Sequence, residues 1–226
     1  EFRAPLAAEG VRCLEFLCPG EIRYNITIHP AQGPETRLSL DNFRLDSSIL
    51  EQIEQALLPQ ITPGTIIAFG SRVPRGLSVE KIKGFLARLK GRGAWLVLDS
   101  NSFSLQDLAE LGPWLIKPNE YEIEALLGRG IRTEEAVLAA AREIHAQGVE
   151  NVLISLGEQG LAYAGEDLCC RISVPKITPL STIAAGDSVL AGYIYGYLQG
   201  WTKMEMLKTA AAFGTAACFT PGTLPP

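Results

Sequence analysis

Histidine is nearly missing from this chain: His29 and His145 are the 2 in 226 residues, and they stand far apart. The 5 cysteines, Cys13, Cys18, Cys169, Cys170 and Cys218, are odd in number and contain no C-x-x-C pair. No zinc spacing arises from such a set, and buried thiols in a reducing cytosol are the expectation. Long apolar runs are missing too, so the sequence indicates neither a membrane-spanning helix nor a signal peptide. Charge of one sign does not dominate. Lys and Arg number 20, Asp and Glu 25, for a net charge of −5. Both signs are spread along the chain, whereas a nucleic-acid footprint needs a basic stripe. Neither a nucleic acid nor a membrane is an expected partner. Three common signatures are absent as well: G-x-x-x-x-G-K-[ST], G-x-G-x-x-G and G-x-S-x-G. What remains is a globular profile, 47% hydrophobic and 20% charged, long enough for a sizeable core.

The first clear pattern is residues 21–28 (EIRYNITI). Ile22, Tyr24, Ile26 and Ile28 alternate with Arg23, Asn25 and Thr27, as in a half-buried strand. Gly33-Pro34 suits a turn, and residues 36–40 return as a second strand. A sheet with one apolar and one polar face suits a lid. From Asp46 the pattern changes. Short apolar strands are expected near 65–68, 94–98, 114–117, 151–155, 161–164 and 168–174. Amphipathic helices stand between and after them: from Asp46, 78–89, after a capping box of Ser104 with Asp107, 119–127, 133–148, 186–199 and 203–218. Such alternation predicts βαβ units and a parallel sheet covered on both faces. Ligands of these sheets bind at the carboxyl ends of the strands.

The most informative stretch is residues 181–192 (STIAAGDSVLAG). Ala184, Ala185 and Gly186 stand before an apolar helix. Small side chains let helix-start N–H groups approach an anion, and the helix dipole adds to the attraction. Asp187 in the first turn can take a proton from an attacking hydroxyl. The same residues also suit a plain structural role, with Asp187 complementing the dipole and the small residues allowing close packing.

Residues 181–192 resemble, position by position, the C-terminal signature of the PfkB carbohydrate kinases of the ribokinase-like superfamily. The resemblance implies a ribokinase-like α/β fold: a Rossmann-type three-layer sandwich with a mostly parallel sheet and a small β-lid. Residues 1–226 would form a single domain, with 11–45 part of the lid. It also implies that Ala184, Ala185 and Gly186 form an anion hole and that Asp187 is the catalytic base. Residues 117–122 (KPNEYE) resemble the K-P-N-x-x-E segment of phosphosugar kinases. Lys117 and Asn119 would then bind nucleotide phosphates, and Asn119 and Glu122 would hold hydrated Mg²⁺. Asn119 and Glu122 equally make a helix capping box. Residues 155–160 (SLGEQG) resemble the S/T-x-G-x-x-G nucleotide loop, implicating Ser155, Gly157 and Gly160. Residues 210–223 resemble the adenine side, with Thr220 where some members carry Asn.

On the sugar side the match is looser. Residues 70–76 (GSRVPRG) resemble the S-G-S-L-P-x-G loop with Arg72 in place of a serine, so Ser71 and Arg72 are candidate substrate ligands. Residues 99–102 (DSNS) depart from the D-[ST]-S-G form. Arg23 and Asn25 resemble lid residues that approach the sugar phosphate. The family's N-P-x-x-D and G-G-K-G motifs have no counterpart in residues 1–20, and both ends read as cuts through a longer protein.

The function implied is ATP-dependent phosphorylation of a sugar phosphate in the cytoplasm, of the 1-phosphofructokinase or tagatose-6-phosphate kinase kind. ATP and Mg²⁺ are the cofactors and a homodimer is the expected assembly. Alternatives are a kinase of an unphosphorylated sugar or nucleoside, and a non-catalytic nucleotide-binding module.

Overall fold

A computed structural model describes residues 3–28, 36–40 and 43–220. The turn expected at Gly33-Pro34 and the P-G-T segment at 221–223 lie outside those residues. The chain divides into two compact units, Glu1–Thr65 with Val73–Ala94, and Ile66–Arg72 with Trp95–Pro226.

The first unit opens with a short helix, α1 (Arg3–Ala8), that the sequence pattern did not announce. Strands β1 (Tyr24–Ile28) and β2 (Thr36–Leu40) pair antiparallel. The first strand therefore begins three residues later than its alternation suggests. Tyr24 stands opposite Leu40 and Ile26 opposite Leu38, which puts the apolar residues on one face. That face is open rather than half-buried, because Tyr24, Ile26, Leu38 and Leu40 are 45–50% exposed. Period-two alternation marks a face that wants burial, but it does not say what covers it. Helix α2 (Ser47–Leu57) starts where Asp46 accepts hydrogen bonds from the N–H groups of Ser48 and Ile49. Helix α3 (Val79–Gly91) is capped by Ser78, and its Arg88 donates to Glu54 of α2 at 2.8 Å. That guanidinium holds the Glu54 carboxyl below its ordinary range.

The second unit is built on six strands in the order β3-β4-β5-β6-β7-β8. They are β3 (Ile66–Phe69), β4 (Trp95–Leu98), β5 (Leu115–Ile116), β6 (Asn151–Ser155), β7 (Leu161–Ala164) and β8 (Cys169–Ile172). β3 to β6 are parallel, while β7 and β8 join antiparallel. The sheet is thus mixed. Five residues separate β6 from β7, too few for the crossover that a parallel pairing demands. Helices α4 (Leu105–Leu111), α5 (Glu120–Leu127) and α6 (Glu134–Ala146) complete the middle of the unit, with α7 (Ala185–Leu198) and α8 (Lys203–Ala217) at its end. Both capping boxes foreseen in the sequence form, Ser104 with Asp107 and Asn119 with Glu122.

Side chains alternate across the strands and fill both faces. Val97, Leu115, Leu153 and Tyr163 cluster with Val189, Tyr193, Leu207 and Ala210 of α7 and α8. The flanking Val152 and Ile154 point the other way and are also fully buried. The two last helices approach closely through glycine. A Cβ on Gly192 would lie 3.0 Å from the Ala210 Cα, and one on Gly214 2.4 Å from Val189 Cγ2.

One polar knot is buried at the amino end of β6. Asn151 Oδ1 accepts from Tyr163 at 2.6 Å, Tyr193 at 2.8 Å and Lys203 Nζ at 2.9 Å. Its amide donates to the carbonyl of Trp114, the residue before β5, at 2.8 Å, so one side chain ties the start of β5 to β7, α7 and α8. Burial pushes the Tyr163 hydroxyl up to about 12 and raises Tyr193 further, while it lowers the Lys203 ammonium.

Candidate active site at the carboxyl ends of the parallel strands

Four neighbouring parallel strands end side by side, so the loops that follow them are brought together. Asp99 follows β4, and its N–H donates to the Phe69 carbonyl of β3 at 3.0 Å. Lys117 follows β5, is 5% exposed, and places Nζ 3.3 Å from Asp99 Oδ1. Burial pushes the Asp99 carboxyl up from its ordinary range, and Lys117 pulls it back. The negative charges of Glu122 and Asp187 push it up again. Lys117 is thus paired with Asp99, and the charges of Glu122 and Asp187 are felt at that carboxylate.

The start of α7 closes this cluster. A Cβ on Gly186 would stand 3.0 Å from Lys117 Nζ, so the small residue there lets the helix start reach the ammonium. Ala184 has φ 61°, and it is the one non-glycine residue with positive φ among the described residues. That conformation costs an alanine on the order of 1 kcal/mol, and such strain is found at functional turns. Side chains cap the starts of α2 to α6 and α8, namely Asp46, Ser78, Ser104, Asn119, Thr133 and Thr202. The start of α7 has no side-chain cap. Its first-turn N–H groups are suited to an anion. Asp187 is exposed in that turn.

Asn119 and Glu122 serve the capping box, through Asn119 Oδ1 to the Glu122 N–H at 2.9 Å and Glu122 Oε2 to the Asn119 N–H at 3.0 Å. Among the described residues no group of three or more His, Cys, Asp or Glu is arranged to hold a metal ion. The donors present are hard oxygens in small number. They suit a Mg²⁺ that keeps most of its water and arrives with phosphates.

The next loop lies alongside. Ser155 forms a bridge with Asn119, and its N–H donates to the Pro118 carbonyl at 3.0 Å. Gly157 and Gly160 adopt φ of 56° and 89° around a 3-10 turn (Gly157–Gln159). A Cβ on Gly160 would meet the Ile172 carbonyl oxygen at 2.0 Å, so only glycine fits. Thr220 follows α8 and donates to the Ala217 carbonyl at 3.1 Å. Ser71 is half-buried and Arg72 exposed in the loop after β3. Arg23 and Asn25 belong to the first unit, where Asn25 Oδ1 accepts from Ser39 at 2.8 Å across the hairpin. The five cysteines are free and half-buried, less covered than the sequence suggested.

Asp99 was not among the candidates drawn from the sequence. Its signal was present in the DSNS stretch at a strand end, where Asp99 and Ser100 keep the family form while Asn101 and Ser102 depart from it.

In this α/β fold a helix start without a side-chain cap stands beside a buried lysine–carboxylate pair at the carboxyl ends of the strands. The chain belongs to the pfkB family of carbohydrate kinases, whose sequence pattern matches residues 1–226. It is 33% identical over 199 residues to the 1-phosphofructokinase of Haemophilus influenzae, covering 88% of this chain and 64% of that protein. It is 28% identical to ATP-dependent 6-phosphofructokinase isozyme 2 of Escherichia coli, covering 96% of this chain and 71% of that protein. The crystal structure of Escherichia coli phosphofructokinase-2 with fructose-6-phosphate superposes with a TM-score of 0.85 at 26% identity, over 96% of this chain and 71% of that one. The chain spans about two thirds of the length of these curated relatives, 64% for the first. No helix among the described residues is long and apolar enough to cross a membrane.

Proposed function

We propose that the gene product carrying this chain transfers the γ-phosphoryl group of ATP to a hydroxyl of a phosphorylated ketohexose. One observation carries the reading. The side-chain-uncapped start of α7 meets the buried Lys117 ammonium at Gly186, with Asp187 exposed in the same turn. Asp187 accepts the proton of the attacking hydroxyl. The N–H groups of Ala185, Gly186 and Asp187 stabilise charge that develops on the transferring group. Lys117 pairs with the nucleotide phosphates, and the Ser155–Gly160 loop follows their outline. Bound Mg²⁺, contacted through water by Asn119 and Glu122, would neutralise phosphate charge. Arg23, Asn25, Ser71 and Arg72 are the proposed contacts to the sugar phosphate, and Thr220 the proposed contact on the adenine side.

The names of the relatives support a sugar-phosphate acceptor: 1-phosphofructokinases on one side, and a phosphofructokinase-2 complexed with fructose-6-phosphate on the other. The open apolar face of the β1–β2 hairpin supports a homodimer. Five free thiols fit a reducing cytoplasm as the compartment.

The test is an ADP-release assay on the full gene product with fructose 1-phosphate, tagatose 6-phosphate, ribose and adenosine. Turnover with a sugar phosphate, and little with ribose or adenosine, is the expected result. Turnover with ribose or adenosine alone would refute the acceptor class.

A further inference from the structure

The nucleotide loop is restrained by a side chain from outside it. Gly157 and Gly160 both hold positive φ, and glycine leaves a chain segment free to take many conformations. A loop that must present backbone groups to phosphates in one geometry therefore needs an external restraint. β8, which pairs with β7 at the margin of the sheet, provides two adjacent ones. Ile172 receives Gly160 so closely that a Cβ would fall 2.0 Å from the Ile172 carbonyl oxygen. Arg171, the residue before it, donates from Nη2 to the Gln159 carbonyl at 2.6 Å. The same guanidinium donates from Nη1 to Glu134 at the start of α6, at 3.0 Å. Arg171 is 19% exposed and Glu134 57%, so the ion pair by itself adds little to stability. Its geometry does something else. A planar fork held at one side by a carboxylate fixes where its other nitrogen points, and that nitrogen holds the carbonyl at the tip of the loop.

The geometry points to Arg171 as a positioning residue for nucleotide binding, acting through the Gln159 carbonyl and itself aimed by Glu134. This rests on the reading of residues 155–160 as the nucleotide loop. Arg171 touches the loop, not the reacting groups. Lysine keeps the charge and the stem but lacks the fork, and so serves one partner at a time.

The full gene product is compared with its Arg171→Ala, Arg171→Lys and Glu134→Gln variants. ATP binding is followed by calorimetry, and hydrogen exchange of residues 156–160 is measured without nucleotide. Arg171→Ala should weaken ATP binding about tenfold, the equivalent of one charge-assisted hydrogen bond. Loop amides should exchange faster, while Tm moves by no more than about 2 °C. Arg171→Lys should fall between the two. Glu134→Gln should weaken binding in the same direction by a smaller factor. Unchanged ATP binding and exchange in Arg171→Ala would overturn the proposal while leaving the nucleotide-loop reading standing. Tighter binding in Glu134→Gln would overturn it too, because a guanidinium freed from its carboxylate binds phosphate better when it acts directly. A wild-type protein that binds no ATP would remove the nucleotide-loop reading, and the proposal with it.

Discussion

A buried lysine and a half-buried one stand at opposite ends of one sheet. Lys117, after β5 at the carboxyl end, faces Asp99 at 3.3 Å with Glu122 and Asp187 close enough to bear on that carboxylate. Lys203, at the amino end of β6, has neutral groups as its direct contacts: Asn151 at 2.9 Å, the Tyr193 hydroxyl at 2.8 Å, and the faces of two tyrosine rings. At the amino end Asn151 uses both polar groups of its side chain, and nothing is left that a ligand would improve. The carboxyl end gathers more negative charge than one ammonium balances, beside a helix start with no side-chain cap. Groups held in an arrangement that folding alone does not favour mark a site, whereas a saturated network marks a scaffold.

The largest effect expected of this contrast is on stability at the amino end. Asn151→Ala removes the acceptor of two buried hydroxyls and the half-buried Lys203 ammonium and should cost about 3 kcal/mol in denaturant unfolding. ATP affinity of the folded protein should stay within about twofold. A matching loss of affinity would mean the two ends are not separate. Lys117→Met reverses the pattern, with ATP binding weakened about a hundredfold by calorimetry.

Alkaline pH separates the ends further. Tyr163, pushed up to about 12, and Tyr193, raised further, stay protonated in the folded state. An unfolded tyrosine ionises near pH 10, so their contribution is present below that pH and is lost as pH rises toward 12. The expected slope is about 1.4 kcal/mol per pH unit for each tyrosine. Lys203 acts with the opposite sign. Its pKa is lowered by burial, so stability rises with pH from its folded value up to about 10.4. Tyr193→Phe should roughly halve the alkaline slope, as read from chemical unfolding at several pH values.

The smallest pair of effects has opposite signs. Thr202→Ala removes the cap of α8 and should cost about 1 kcal/mol. Ala184→Gly relieves the positive φ at the start of α7 and should raise stability by about 0.5–1 kcal/mol. A loss on Ala184→Gly would mean that the turn is not strained.

What the sequence disclosed was local. The Asn119–Glu122 and Ser104–Asp107 boxes are three-residue spacings and needed no fold to be seen. The strands announced themselves by β-branched runs, and Asp187 by a long contiguous signature. The meeting of Asp99 with Lys117 depends on β4 lying beside β5, which no spacing reports. The knot of Asn151, Tyr163, Tyr193 and Lys203 joins residues as much as 52 positions apart, and each reads alone as an ordinary core or surface residue. The open face of β1 and β2 differs from the expected half-buried one for a related reason: alternation reports a preference for burial, and burial depends on a partner surface.

The central claim is that the carboxyl end is catalytic and Asp187 its base. The most direct measurement is phosphoryl transfer by the full gene product and its Asp187→Asn variant, with ATP affinity measured on both. Turnover should fall about a thousandfold with ATP binding retained. Turnover that survives the substitution would contradict the account.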